Sequence, residues 1–384
     1  MPACPPLHPE HDALLRLLHS GARASALRRL LDSHASATAA VDAGPRDWAS
    51  HGLAAAACKA IRAPDAEAMA RGAAWLAQPG RHLLGWRDEA YPPLLRRTAS
   101  PPAMLFVAGD PGLMWRPAVA VVGSRTATAG GRANAAAFAE ALSKAGLCIA
   151  SGLAAGIDAA AHEATLAAGG QTVAVLGTGA DVPYPAHHRA LLERVARDGA
   201  VVSEHPPGTG ALRQHFPSRN RILAGLSVAT VVVEAAERSG ALITARLAAE
   251  AGREVFALPG SIHNPMARGC HRLIRDGAQL VESPAEVIAA IAPLVADLAR
   301  ALRGVLEPCG EWSTPAPGHV DSSSGAQDPA YSQLWQALGH DPTAMDELVE
   351  RSGLTAAHAS SILLALELEG RVASQHGRYT RIGA

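Results

Sequence analysis

The chain has 384 residues, with 34 basic side chains against 35 acidic ones, 48% hydrophobic residues and 4% aromatic ones. That length suits two or three domains with largely aliphatic cores. A net charge of −1 excludes a polybasic protein that coats nucleic acid indiscriminately, but leaves room for a local basic pocket. All but two of the basic residues, Lys59 and Lys144, are arginine. The five cysteines (Cys4, Cys58, Cys148, Cys270, Cys309) are scattered and lack a CxxC pair, which argues against a disulfide scaffold or a structural zinc site. The amino terminus has no basic or apolar leader pattern. The longest apolar stretch, Val287 to Ala299, is broken by Pro293 and Asp297, short of the ~18 residues of a membrane span. A soluble, cytoplasmic chain without metal or cofactor is expected.

In chain order, residues 8–80 show helical periodicity in short segments, as in Leu14, Leu15, Leu17, Leu18 and then Leu27, Leu30, Leu31, and predict a small all-α domain. Within it, His19 to Ser33 reads either as a helix-hairpin-helix reduced to Gly21 or as plain helical packing. A Pro-rich bridge (Tyr91-Pro92-Pro93, Pro101-Pro102) then leads to the apolar Met104 to Val107. From Val119 to Ala257 the pattern changes. Six short β-branched runs (Val119 to Val122, Leu147 to Ala150, Thr172 to Leu176, Ala200 to Val202, Thr230 to Val233, Glu254 to Ala257) alternate with Ala/Leu-rich helical stretches. Continuous apolar runs of this kind suit parallel strands buried on both faces, and predict a Rossmann-like, doubly wound α/β domain over 81–290. Residues 291–329 read as a helix end and a Pro/Gly/Ser-rich linker. Residues 330–384 offer three helices, the first holding Tyr331, Leu334, Trp335 and Leu338, the second about Thr343 to Arg351, the third from Thr355 to Glu369, stopped by Gly370. A hairpin turning at His376-Gly377 completes a winged helix.

Ligands of open α/β sheets bind beyond the carboxyl ends of the strands. Here those ends are loops of small and polar residues: Gly123 to Thr126 (with Ser124 and Arg125), Ser151 to Asp158 (with Gly152 and Gly156), Gly177 to Pro185, Ser203 to Gly208, Glu234 to Ala245 (with Ser239 and Gly240) and Leu258 to Asn264. Six such loops on one rim expose backbone amides and helix amino termini, which suit phosphate. The first loop is not GxGxxG, and Ser151 stands where a dinucleotide fold carries its acidic residue, so a dinucleotide cofactor is disfavoured. Arg125 is expected at the tip of the first strand of the series, against phosphate. Phe216, Arg219, Asn220 and Arg221 precede or open a helix, where positive charge is unfavourable unless an anion compensates it. Phe216 is positioned to stack on a base, unless it is core and Arg221 merely pairs with Glu234. Ser151, Asp158 and His162 suggest a triad, but no GxSxG elbow accompanies them, and His162, His187 and His188 lack metal-ligand spacing.

The segments VAVVGSRT, ASGLAAGIDAAAHEAT, VLGTGADVPYP, SEHPPG, FPSRNRILAGLS, VVVEAAERSGALITARLAAEAGREVFALPGSI and NPMARGCHRLIRDGAQLV, taken in order, resemble the DprA (DNA-processing protein A, or Smf) family over residues 81–287. The resemblance implies a SAM-like or helix-hairpin-helix-like amino-terminal domain, a Rossmann-like domain and a winged helix. It implies a protein of natural transformation and DNA recombination that binds single-stranded DNA, protects it, and loads RecA recombinase on it against single-strand-binding protein. A homodimer through the α/β domain and no catalysis are also implied. The family's phosphate-binding arginine falls on Arg125, its pocket segment on Phe216, Arg219, Asn220 and Arg221, and its anion loops on Ser151-Gly152, Gly156 and Ser239-Gly240.

Two other classes compete. A nucleotide phosphoribohydrolase on a related fold carries PGGxGTxxE, whereas Ser239-Gly-Ala-Leu-Ile-Thr244 here lacks the glutamate. A winged-helix transcription regulator predicts tight duplex binding by residues 331–384. These contain four arginines against six acids, and the third helix has no basic residue besides His358.

Overall fold

A computed structural model describes residues 7–303, 333–335, 337–338, 342–368, 371–375 and 378–381. The expected linker, Cys4, Cys309, Tyr331, Glu369, Gly370 and the turn at His376-Gly377 lie outside them. The described chain forms two compact units, the larger ending near residue 295.

The larger unit opens with six helices, Pro9–His19 (α1), Ala24–Asp32 (α2), Ala37–Asp42 (α3), Pro45–Ser50 (α4), Ala55–Arg62 (α5) and Ala66–Leu76 (α6). Short polar caps separate them: Ser36 and Asp65 accept hydrogen bonds from the backbone N–H groups of Ala39 and of Glu67 and Ala68, satisfying donors that a helix start leaves open. In α2 the leucines at 27, 30 and 31 face inward together, and the segment His19 to Ser33 joins α1 to α2 through a turn at the positive-φ Gly21.

Nine strands follow. They are Arg81–Gly85 (β1), Met104–Gly109 (β2), Ala118–Val122 (β3), Cys148–Ser151 (β4), Thr172–Leu176 (β5), Ala200–Ser203 (β6), Ala229–Val232 (β7), Glu254–Ala257 (β8) and Gln279–Leu280 (β9). They form one sheet in the order β1-β2-β6-β5-β4-β3-β7-β8-β9, parallel from β6 to β9, with β2 antiparallel to both its neighbours. All six apolar runs of the sequence are strands of this Rossmann-like sheet; β1, β2 and β9 extend it. Pro93–Arg96 (α7), Ala129–Lys144 (α8), Ile157–Ala167 (α9), Arg189–Asp198 (α10), His215–Leu226 (α11), Gly240–Glu250 (α12), Arg268–Arg275 (α13) and Pro284–Arg303 (α14) connect or follow the strands.

Alternation along β2 sets two cores. Met104, Phe106 and Ala108 join the α1–α6 helices, α9 and α10, while Leu105 and Val107 join α7, α11 and α12 on the opposite face. The helical segment is sealed to the sheet where Trp75 of α6 meets Phe106 edge-on, ring centroids 5.6 Å apart.

The second unit contains a helical turn at 333–335, Thr343–Ala344 (β10), Met345–Ser352 (α15), Ala356–Leu368 (α16), Val372–Gln375 (β11) and Arg378–Arg381 (β12). Its sheet runs β10-β12-β11, and Leu334, Leu348, Leu363, Leu366 and Val372 fill its core. This is the expected winged helix, with Thr355 capping α16 through its hydroxyl; the short β10 is an addition.

Candidate nucleic-acid interface

The strand order reverses at β3, so β4 and β7 leave it on opposite sides and their carboxyl ends open a rim. Gly123, Ser124 and Arg125 turn off β3 there. Ser124 is buried and immobilised: its N–H donates to Glu234 O at 2.7 Å, and its hydroxyl accepts from Thr126 N at 3.1 Å. Gly156 holds the other side of the turn. Its φ is +83°, and a Cβ there would overlap the carbonyl oxygen of Ser124. A fixed turn thus presents the exposed side chain of Arg125, beside the exposed Thr126.

Its guanidinium lies over the ring of Phe216, 5.3 Å from the centroid. The half-buried Phe216 is also in contact with Tyr184, ring centroids 5.0 Å apart at 46°. Tyr184 is 42% exposed and precedes a cis peptide bond to Pro185. One cation and two aromatic faces therefore form a crest above the ends of β3, β5 and α11's start. Beneath it His205 and His215 stack at 3.8 Å, and His215 Nδ1 lies 3.2 Å from Gly177 O. Burial, then the neighbouring His215 and Arg221, pull the pKa of His205 down to about 4, which keeps His205 neutral near pH 7.

Behind the crest the positive charges of α11 find anions belonging to the protein itself. Arg219, expected on the rim, is only 5% exposed. Its guanidinium covers Gly152, where a Cβ would overlap it, donates to Val175 O, and is electrostatically coupled to the buried Asp158. Its Nε donates to Asn220 Oδ1 at 3.2 Å, and Asn220 Nδ2 donates to Gly240 O at 3.3 Å. The buried Asn220 thus ties α11 to the start of α12. Arg221 pairs with Glu204 rather than with Glu234, and donates to Ser100 O at 2.7 Å. Glu234 instead accepts from Asn264 Nδ2 at 3.3 Å.

The loop after β4 is also filled from within. Leu153 is held at φ +58°, a left-handed conformation that aims the flanking amides the same way. Asp158 Oδ2 accepts from Gly152 N at 3.1 Å and Ala154 N at 3.3 Å, so a carboxylate occupies the nest expected to hold phosphate. Burial raises the pKa of Asp158, opposed by Arg219 and these donors. Ser151 donates to Val121 O at 2.7 Å, and His162 Nδ1 meets Thr172 Oγ1 at 2.7 Å. Ser151 also bears on Asp158, but His162 is bonded to Thr172, so the three do not form the suggested triad. Ser239 caps α12 through Ala241 N, leaving Gly240 exposed at the rim.

Arg125 and Gly240 are therefore exposed at the rim, with Phe216, Gly123, Gly156 and Ser239 half-buried beside them. Ser124, Ser151, Gly152, Arg219 and Asn220 form the buried support. Tyr184 was not among the expected site residues; an aromatic beside Pro185 in a rim loop was its sequence signal. Among the described residues no group of three or more His, Cys, Asp or Glu is placed to hold a metal, and no helix is long and apolar enough to cross a membrane.

The larger unit is a Rossmann-like sheet without a dinucleotide fingerprint, and the smaller one a winged helix. Residues 82–292 match the family described as DNA recombination-mediator protein A, and residues 317–378 match the DprA winged helix domain. Protein Smf of Escherichia coli K12 is 41% identical over 311 residues, covering 80% of this chain and 79% of the relative. DNA processing protein DprA of Streptococcus pneumoniae R6 is 47% identical over 202 residues, covering 53% and 71%. The solved structure of DprA from S. pneumoniae superposes with a TM-score of 0.64 at 36% identity, covering 73% of this chain and 97% of that one. DNA processing protein A from Helicobacter pylori, solved for its single-stranded DNA binding mode, superposes with a TM-score of 0.50 at 26% identity, covering 55% and 96%. The chain belongs to the DprA/Smf family.

Proposed function

We propose that this protein binds single-stranded DNA along the crest and delivers the strand to RecA recombinase, displacing single-strand-binding protein, as a homodimer and without catalysing a covalent step. The observation that carries the reading is the Arg125 guanidinium held over Phe216 beside the exposed Tyr184. A cation contacts phosphate and rings stack on bases of any sequence, a combination suited to single strands. The relative from H. pylori, described by its single-stranded DNA binding mode, and the recombination-mediator family support it. The test is affinity for a homopolymeric strand against a blunt duplex over a salt series. Single-strand preference with a log-log slope of roughly 0.7 per phosphate contacted is expected; equal affinities would overturn the reading. Delivery is tested by strand exchange on DNA precoated with single-strand-binding protein, where this chain should accelerate the recombinase.

A further inference from the structure

The rim does not end with the parallel strands. Ser203, the last residue of β6, pairs with Phe106, and Met104, the first residue of β2, pairs with Gly85, the last of β1. The end of β1 and the start of β2 therefore lie at the same edge of the sheet as Arg125. Five interstrand steps separate β3 from β1, about 24 Å at the usual spacing, the length of several nucleotides.

That extension carries arginines whose charge is retained. Arg28 of α2 donates through Nη1 to Pro101 O, and its Cζ is 5.5 Å from the Trp86 ring. Arg96, exposed at the end of α7, donates to Asp88 O at 3.0 Å and lies 5.2 Å from the Trp86 ring and 5.3 Å from that of Tyr91. Trp86 and Tyr91 meet edge-on at 5.3 Å, and the Trp86 indole N–H donates to Asp32 Oδ1 at 2.7 Å. Aromatic faces and carbonyl oxygens thus hold both guanidiniums in place, while Asp32 acts on Arg28 and Asp88 on Arg96 without forming an ion pair with either. The nearby Asp88 carboxylate is engaged by Gly85 N at 2.6 Å, and only Arg221, next along the rim, has an ion-paired carboxylate, Glu204. Arg28 and Arg221 repel each other, and both, with Arg96, bear on the buried Tyr91 hydroxyl. A fixed gathering of like charges on the line of the crest is complementary to a polyanion.

We propose that Arg28 and Arg96 form a second phosphate-contacting surface, over which a bound strand continues from the Arg125–Phe216 crest past Arg221. The proposal rests on the single-strand reading above. It also gives α2 a nucleic-acid role through a side chain instead of the glycine turn of a helix-hairpin-helix.

The test titrates the full chain with oligothymidylates of about 4 and about 16 nucleotides over a salt series. Arg28→Gln, Arg96→Gln and the charge-keeping Arg96→Lys are compared with the unaltered chain. The long strand should bind with the steeper salt slope. Each glutamine variant should lower long-strand affinity about three- to tenfold and its slope by roughly 0.7, leaving short-strand affinity intact, with Arg96→Lys close to the unaltered chain. Arg96 is exposed, so it carries the test alone if Arg28→Gln melts early. Unchanged long-strand affinity and slope, or equal losses on both lengths, would overturn the extension. An unaltered chain that binds neither length would overturn the single-strand reading instead.

Discussion

Replacing Arg125 by alanine removes an exposed guanidinium with no carboxylate partner in the ion pairs of the described residues. Strand affinity should fall about tenfold or more, at an unchanged melting temperature, since only a charge-assisted contact is lost. Arg219→Ala, four residues beyond the start of α11, should behave in the opposite way. It strands Asp158 in the interior, and such a loss typically costs about 3–5 kcal/mol, seen as a lower denaturant midpoint. His162 sets a pH dependence. Thr172 Oγ1 spends its proton on Ile149 O, so His162 Nδ1 must donate to Thr172, leaving Nε2 unprotonated and buried without a partner. Burial, reinforced by Arg219 and His188, pulls its pKa to about 3 from 6.5. The unfolded chain therefore binds the extra proton between those values, and stability falls as the pH drops below about 6.5. From pH 7 to pH 5 the loss should be about 2 kcal/mol, and urea melts of His162→Gln should show that much less acid sensitivity.

At the scale of elements, the turn after β3 depends on Gly156, where both a positive φ and contact with Ser124 O exclude a side chain. Gly156→Ala should cost about 2–3 kcal/mol and displace Arg125, so melting temperature and strand affinity should fall together. Strands β3 to β7 were legible because burial on both faces leaves nearly continuous apolar runs, and β8, exposed at its start, by its apolar end and its place after a helix. Strand β1 (RHLLG) is too polar at its start for that signal, β9 is two exposed residues, and β2 read as an apolar stretch without a partner to make it a strand. Arg125 was legible for a similar reason, since a strand tip places its side chain at the rim whatever the neighbours do. The direction of Arg219 was not. The pattern R-N-R at a helix start shows charge needing an anion, but only the packing of α11 on β5 reveals that Asp158 and Glu204 supply it.

For the molecule as a whole, the winged helix is expected to contribute little to strand affinity. Its α16 exposes His358 and Glu367, and its wing arginines Arg371 and Arg381 both lie 4.4 Å from the Trp335 ring. A chain ending at Arg303 should keep most single-strand binding, measured by anisotropy at matched salt. Loss of binding by a truncated chain that keeps its melting transition would assign the strand to the winged helix. The carboxylate of Asp158 in the amide nest has a further consequence. Folds of this architecture bind nucleotides beyond the carboxyl ends of their strands. Here the berth is taken by a ligand that cannot leave, so adenosine triphosphate in large excess should not compete with a bound strand.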